Sequence, residues 1–363
     1  MKREANAIDF WRGFALITIF INHIPGIVFD RFTSKNFSIS DSAELFVFLA
    51  GWSLRLIVGS DDRPRPMPQI VFRLGGRAIT LYAAHMMIGM IAIAILASAS
   101  IAFDNPLLLE WHNAAAVFFD PVTTHIGMAL LSHQLGYFDI LPLYVVLMII
   151  APIVAAIDRY IPQLLLPLSV ATYLTALSVP ITIPTWPTEG QWFFNPLCWQ
   201  LVFVLGFVLA RPRGLGGFVR QHIRPIRWLA LPVVIVGAIM VIFEIYPDPI
   251  SVPEPKLLFI VGKTFVTPIR LLQFLALVAV FSAAYVYIRK LAAWLVEPMS
   301  MLGRNSLEVF CVGSVLSLLG QVVRFQTGGG YLIDTGLVAA GITILFITAW
   351  LAEWQDRARA PAT

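Results

Sequence analysis

Apolar residues dominate this chain in long, nearly charge-free stretches, and ten of them have a length suited to crossing a bilayer: about 10–28, 42–59, 74–100, 137–157, 164–180, 194–210, 226–244, 268–288, 305–323 and 332–352. They lack the period-two alternation of a membrane barrel. Hydrocarbon supplies no hydrogen-bond partners, so each stretch must satisfy its own backbone and is predicted to be a helix. The expected fold class is all-α, a polytopic integral membrane protein with about ten transmembrane helices in a single domain over 1–363. The first stretch follows Met1-Lys2-Arg3, as in a signal peptide. It carries Arg12, Asn22 and His23 and has no small-residue cleavage site, so it reads as a retained helix.

Composition sharpens this picture by exclusion. With 58% hydrophobic and 13% charged residues and a mean hydropathy of +0.81, the chain has more uncharged runs than one soluble core could stack. The net charge of +4 resides in loops between apolar runs, where it reports membrane orientation, and no nucleic-acid partner is expected. When loops are assigned to alternate sides, all of the 25 Lys and Arg except Arg31, Lys35, Lys256, Lys263, Arg270 and Arg324 share a side with both termini. That bias predicts cytoplasmic termini. The loops at 101–136, 181–193 and 245–267 are long and rich in Pro, Trp and acidic residues, as a lid or vestibule would be. Cys198 and Cys311 each sit in an apolar run, which suggests neither a disulfide framework nor a thiolate site. His112, His125 and His133 lack metal-ligand spacing, and no metal is expected.

Ionisable groups inside spans are costly and are candidates for function. His23 lies near the outer end of the first span, beside Asn22 and before Pro25, and Glu44 enters the second span at similar depth. A carboxylate that orients an imidazole and supports its protonated form makes a general base. Asp41-Ser42-Ala43-Glu44 also has the spacing of a capping box, and a histidine can equally serve as a buried hydrogen-bonded residue. Arg12 marks the inner mouth of the first span. Arg73, Arg77, Leu81 and His85 recur at intervals of four, a predicted stripe whose arginines suit a phosphate-bearing ligand; snorkelling toward anionic lipid is the plainer role. Asp139 and Tyr144 flank Pro142, Asn195, Trp199 and Gln200 open the sixth span, and Lys263 and Arg270 stand at the entry to the eighth. Such groups could grip a sugar by hydrogen bonds and stacking, or form the usual interfacial aromatic belt.

These residues carry a resemblance. Ile-Asp-Phe-Trp-Arg-Gly at 8–13, Asn22-His23-Ile24-Pro25 and the run from Ser40 to Gly51 resemble the OpgC family of glucan succinyltransferases. The stretches at 139–144, 194–200, 263–270 and 303–307 are similar as well. Arg12 and His23, with ten residues between them, also resemble the Arg and His of the broader acyltransferase-3 superfamily. The resemblance implies a ten-span enzyme of the bacterial inner membrane that moves an acyl group, succinyl in the type member, from cytoplasmic acyl-CoA to a hydroxyl of a periplasmic glucan. Acyl-CoA would then be a substrate, with no permanently bound cofactor, and the partners would be membrane lipids, acyl-CoA and the glucan or another glycan acceptor. His23 and Glu44 are the expected catalytic pair. Arg12, Arg73, Arg77 and His85 are expected to hold acyl-CoA, and Asn22, Asp139, Tyr144, Asn195, Trp199, Gln200, Lys263 and Arg270 the acceptor or acyl group. A secondary transporter or flippase of an acyl or sugar conjugate is the rival reading, since intramembrane His, Glu and Arg also build ion relays. The acyl group, the acceptor and the oligomeric state, a homo-oligomer included, stay open.

Overall fold

The computed structural model describes residues 4–60 and 63–359; Lys2 and Arg3, counted above toward orientation, lie outside the described residues. The chain is all-helical, and its strands among the described residues are two residues long, Gly59–Ser60 and Arg63–Pro64. Helices form at all ten predicted stretches: α1 Ala7–Asn22, α2 Ser42–Val58, α3 Met67–Ala102, then two short helices, α4 Ala115–Phe119 and α5 Pro121–Ala129, in the long loop. There follow α6 Ile140–Tyr160, α7 Pro162–Ser178, α8 Pro196–Leu209, α9 Gly214–Gln221, α10 Ile223–Ile242, α11 Pro268–Phe281, α12 Ala284–Leu291, α13 Ala293–Arg304, α14 Ser306–Thr327 and α15 Tyr331–Arg359.

Forming a helix and crossing a membrane are separate requirements. By length and composition five helices qualify, α3, α6, α10, α14 and α15, and seven do if the bent pairs α8–α9 (71°) and α11–α12 (41°) each count as one span. That support is narrower than the ten spans predicted from hydropathy. With 16 and 17 residues, α1, α2 and α7 rise only about 24–26 Å, less than the ~30 Å hydrocarbon layer. α1 ends at Asn22 rather than at 28 because Pro25 lacks an N–H and disfavours helical backbone before it.

The helices gather into two units. The first comprises Met1–Phe46, Ala230–Phe243 and Ala276–Thr363. In it α1 crosses α13 with backbones touching: a Cβ at Gly13 would strike the Met299 carbonyl and one at Gly303 the Asp9 carbonyl. Reciprocal glycines of this kind let helices pack in lipid without side chains between them. Phe20 lies against Gly341 and Ile24 against Gly320, bringing α1 onto α15 and α14. The second unit comprises Val47–Leu229 and Glu244–Leu275. Here Gly51 of α2 meets the Phe203 carbonyl, and Gly206 of α8 meets that of Phe48. α7 and α8 enclose a cluster of Tyr173, Ala176, Leu177, Cys198, Leu201 and Phe265.

Candidate functional site

In the first unit, the end of α1 presents His23 as its C-cap, with the His23 N–H bonded to the Ile19 carbonyl at 2.9 Å. The chain then makes two 3-10 turns, Val28–Phe32 and Ser34–Asn36. Asn22 holds this loop, its Oδ1 accepting from the Thr33 hydroxyl at 2.6 Å, while Lys35 pairs with Asp30 at 2.8 Å. The loop enters α2 through a capping box. Asp41 Oδ1 accepts from the Ala43 N–H at 2.8 Å, and Glu44 Oε2 from the Asp41 N–H at 3.0 Å. Glu44 is fully buried, so the cap the sequence allowed is formed, through one of its two oxygens.

Three residues missed by the sequence reading brace this end of α1. Gln321 Nε2 donates to the His23 carbonyl at 2.6 Å. Arg324 pairs at 3.1 Å with Asp334, and Asp334 Oδ2 accepts from the Val28 N–H at 2.8 Å. Asp334 is wholly buried, and Arg324 is no free surface charge. A signal existed, because Asp334 falls within the last predicted span, where a carboxylate requires a partner.

At the other end of α1, Arg12 lies 3.9 Å from buried Asp9. Asn6 caps the helix, its Oδ1 accepting from the Asp9 N–H, while its Nδ2 donates to the Asp9 carboxylate at 2.6 Å. Across the glycine crossing Arg304 bridges Glu297 at 2.8 Å and Glu353 at 2.6 Å. Among the described residues, the guanidiniums of Arg12 and Arg304 are thus engaged with the carboxylates of Asp9, Glu297 and Glu353.

In the second unit the predicted stripe on α3 does not hold. Four-residue steps advance about 40° each on a 3.6-residue helix, so Arg73 and His85 differ by roughly a third of a turn. Arg73 and Arg77 face outward, whereas His85 is buried on the side lined by Ile70, Leu74, Ala78, Leu81 and Ile88. Guanidiniums gather elsewhere. Buried Asp158 pairs with Arg55 at 3.1 Å and with Arg211 at 2.7 Å. Arg220 donates to the carbonyls of Leu209 at 3.0 Å, Ala210 at 2.8 Å and Arg211. It thereby caps α8 where the chain turns into α9. Arg211 and Arg220 are structural here, and a carboxylate buried at the end of α6 is what draws Arg211 in.

The remaining candidates of this unit divide into two groups. Asn195 caps α8, accepting from the Leu197 N–H at 3.0 Å and donating to the Ile181 carbonyl at 2.7 Å. Trp199 is wholly enclosed, its ring edge-on to Phe194 and its N–H shared between the carbonyls of Lys263 and Thr264. It therefore has no face to offer a sugar. Gln200 bonds Ser169 at 2.7 Å, and Tyr144 and Arg270 are buried. Asp139 and Lys263 form the second group, since they act on each other electrostatically. Burial pushes the Asp139 carboxyl up to about 6, against the pull of the Lys263 ammonium. Burial and the Asp139 charge also raise the neighbouring Tyr137 phenol. The Lys263 ammonium stands 5.7 Å from the ring centres of Phe193 and Phe194, and the Tyr137 ring lies 5.1 Å from that of His112. Tyr137 and His112 have backbone φ of +67° and +57°, a region costly for residues with a Cβ and found where surrounding structure holds a site in place. Sequence spacing carried no sign of either.

Comparison with known families matches the chain, over residues 3–357, to a family described as OpgC protein. No curated protein and no solved structure matches the chain.

Proposed function

Because the chain belongs to the OpgC family, we propose that it is a multi-pass O-acyltransferase of the bacterial inner membrane, with both termini cytoplasmic, that transfers an acyl group, succinyl by family analogy, from cytoplasmic acyl-CoA to a hydroxyl of a periplasmic glucan. Family membership supports a transferase in glucan modification; the donor, acyl group and orientation are our reading. The observation that carries the chemistry is His23, an imidazole at the tightly braced end of α1.

In this reading the imidazole takes the proton of the acceptor hydroxyl as its oxygen attacks the thioester carbonyl carbon. The new C–O bond forms, the C–S bond breaks, and the CoA thiolate leaves with the proton returned by the imidazolium. Such general-base catalysis contributes about 10²–10⁴ in rate. Glu44 supports the imidazolium while capping α2. The expected result is that His23→Ala and His23→Gln keep expression, detergent monodispersity and acyl-CoA binding but lose at least about a hundredfold in transfer. Glutamine can replace an imidazole hydrogen bond but takes up no proton near neutral pH, so substantial activity in His23→Gln would make His23 structural.

The transporter reading draws on a specific feature, the two bent helix pairs, because broken helices offer carbonyls to ions in transporters. At the α8–α9 bend those carbonyls are already taken by Arg220, which favours the enzyme. Transfer from acyl-CoA by purified protein separates the two.

A further inference from the structure

One face of α14 follows the end of α1. Ser317, Gln321 and Arg324 recur at intervals of four and three and so share a side of the helix. Ser317 Oγ donates to the Phe20 carbonyl at 3.0 Å and Gln321 Nε2 to the His23 carbonyl at 2.6 Å. One step further, Arg324 holds Asp334, which binds the Val28 N–H. Gly320 lies among them with the Ile24 side chain seated where a Cβ would stand, its Cδ1 2.9 Å from that position. Three points, at residues 20, 23 and 24, are therefore held by one face of α14, and Val28 is held by Asp334 of α15, which Arg324 of that face engages.

The last carbonyls of a helix have no partner within it, and helix ends fray unless something else engages them. At this end the Ile19 and Ile21 carbonyls take backbone N–H groups, while those of Phe20 and His23 take side chains of α14, so the turn bearing His23 is tied to a 22-residue helix. The other ties meet the backbone on either side of His23, whereas Gln321 meets His23 itself. Its amide is neutral and donates to a carbonyl without placing a second charge beside the imidazole.

We propose that Gln321 is a positioning residue for the reaction. Its hydrogen bond to the His23 carbonyl fixes the backbone from which the imidazole projects, and the Arg324–Asp334 pair secures the loop beyond. This inference rests on the reading of His23 as general base.

The test uses the full-length protein in detergent, radiolabelled succinyl-CoA and purified periplasmic glucan. Gln321→Met keeps the side-chain length and removes the donor. A displacement of about 1 Å can cost a hundredfold in rate, so kcat should fall at least about tenfold while KM for both substrates and the thermal midpoint stay near wild type. In the His23→Ala background the same substitution should cost nothing further, because residues acting as one unit are strongly non-additive. Unchanged kcat in Gln321→Met, or an equal fold-loss in the His23→Ala background, would overturn the positioning role. So would a loss of rate that tracks a lowered thermal midpoint. If Gln321→Met does not fold, Gln321→Asn replaces it, since its amide is one methylene too short to reach the carbonyl, and the same outcomes decide. The two readings fail separately. An active His23→Ala removes the base itself, whereas an inactive His23→Ala beside a fully active Gln321→Met removes only the positioning role.

Discussion

Adding one methyl group at Gly303 should do more damage than most truncations in the core. The added Cβ would stand 2.6 Å from the Asp9 carbonyl carbon, with the oxygen nearer still, and 2.9 Å from its Cα. Real Cβ atoms keep at least 3.0 Å, and the obstacle is helix backbone, which has no rotamer to escape into. The α1 and α13 backbones must part by roughly 1 Å, and a gap of that size forfeits a quarter to a half of each dispersion contact it opens. The reciprocal contact of Gly13 with the Met299 carbonyl opens with it. Overpacking typically costs about 1–3 kcal/mol, and a rigid obstacle puts Gly303→Ala at the upper end, about 3 kcal/mol. Thermal unfolding of detergent-purified protein at one scan rate provides the assay, and a midpoint lowered by roughly 4 °C is expected. Gly75→Ala is the matched control: nothing lies within 4 Å of its added Cβ, and better helix propensity should hold or slightly raise the midpoint, by about 0.5–1 kcal/mol. A Gly303→Ala protein as stable as wild type, or a Gly75→Ala protein that drops as far, would refute the reasoning.

Two further predictions concern the second unit. Asp158→Asn leaves two guanidiniums, Arg55 buried and Arg211 half-buried, without their carboxylate and should cost about 3–5 kcal/mol. Arg55→Met combined with Asp158→Asn should recover part of that loss in thermal midpoint, and a loss below about 1 kcal/mol in the single variant would class the group with weak surface pairs. Reporters fused after Asn105 and Glu189 should read extracytoplasmic and one after Gly216 cytoplasmic. A cytoplasmic signal at Glu189 would remove short α7 from the spans.

Hydropathy showed where helices form because apolar runs in lipid leave the backbone no alternative. Its ten stretches exceed the five to seven helices that qualify as spans, because hydropathy averages over a window, whereas helix length depends on single stops such as Pro25 after α1 and the Arg211-to-Gly214 turn after α8. α13 was hidden because its 12 residues include Glu297, Pro298 and Arg304, which interrupt an apolar pattern although the helix packs through Gly303. For the candidate site, residue types within a motif were legible, as with the capping box of Asp41 and Glu44. Pairings between distant segments were not. Gln321 lies 298 residues from His23, and Arg211 lies 53 from Asp158, so no local spacing announces either bond. The α3 stripe failed for a simpler reason, since a period of four drifts off the face of a helix whose period is 3.6.

The shortness of α1 reaches beyond the protein. If its 16 residues cross the membrane, they fall about 6 Å short of the hydrocarbon thickness, and lipid must thin around them or the flanking polar groups must stretch toward the interfaces. In the reaction proposed above, thinning would shorten the journey of a flexible donor arm to His23, so a defect that lipids ordinarily resist would serve group transfer across a barrier. Acyl-chain length in the host bilayer would then become a variable of the proposed reaction, because each added methylene deepens the mismatch at the helix that carries His23.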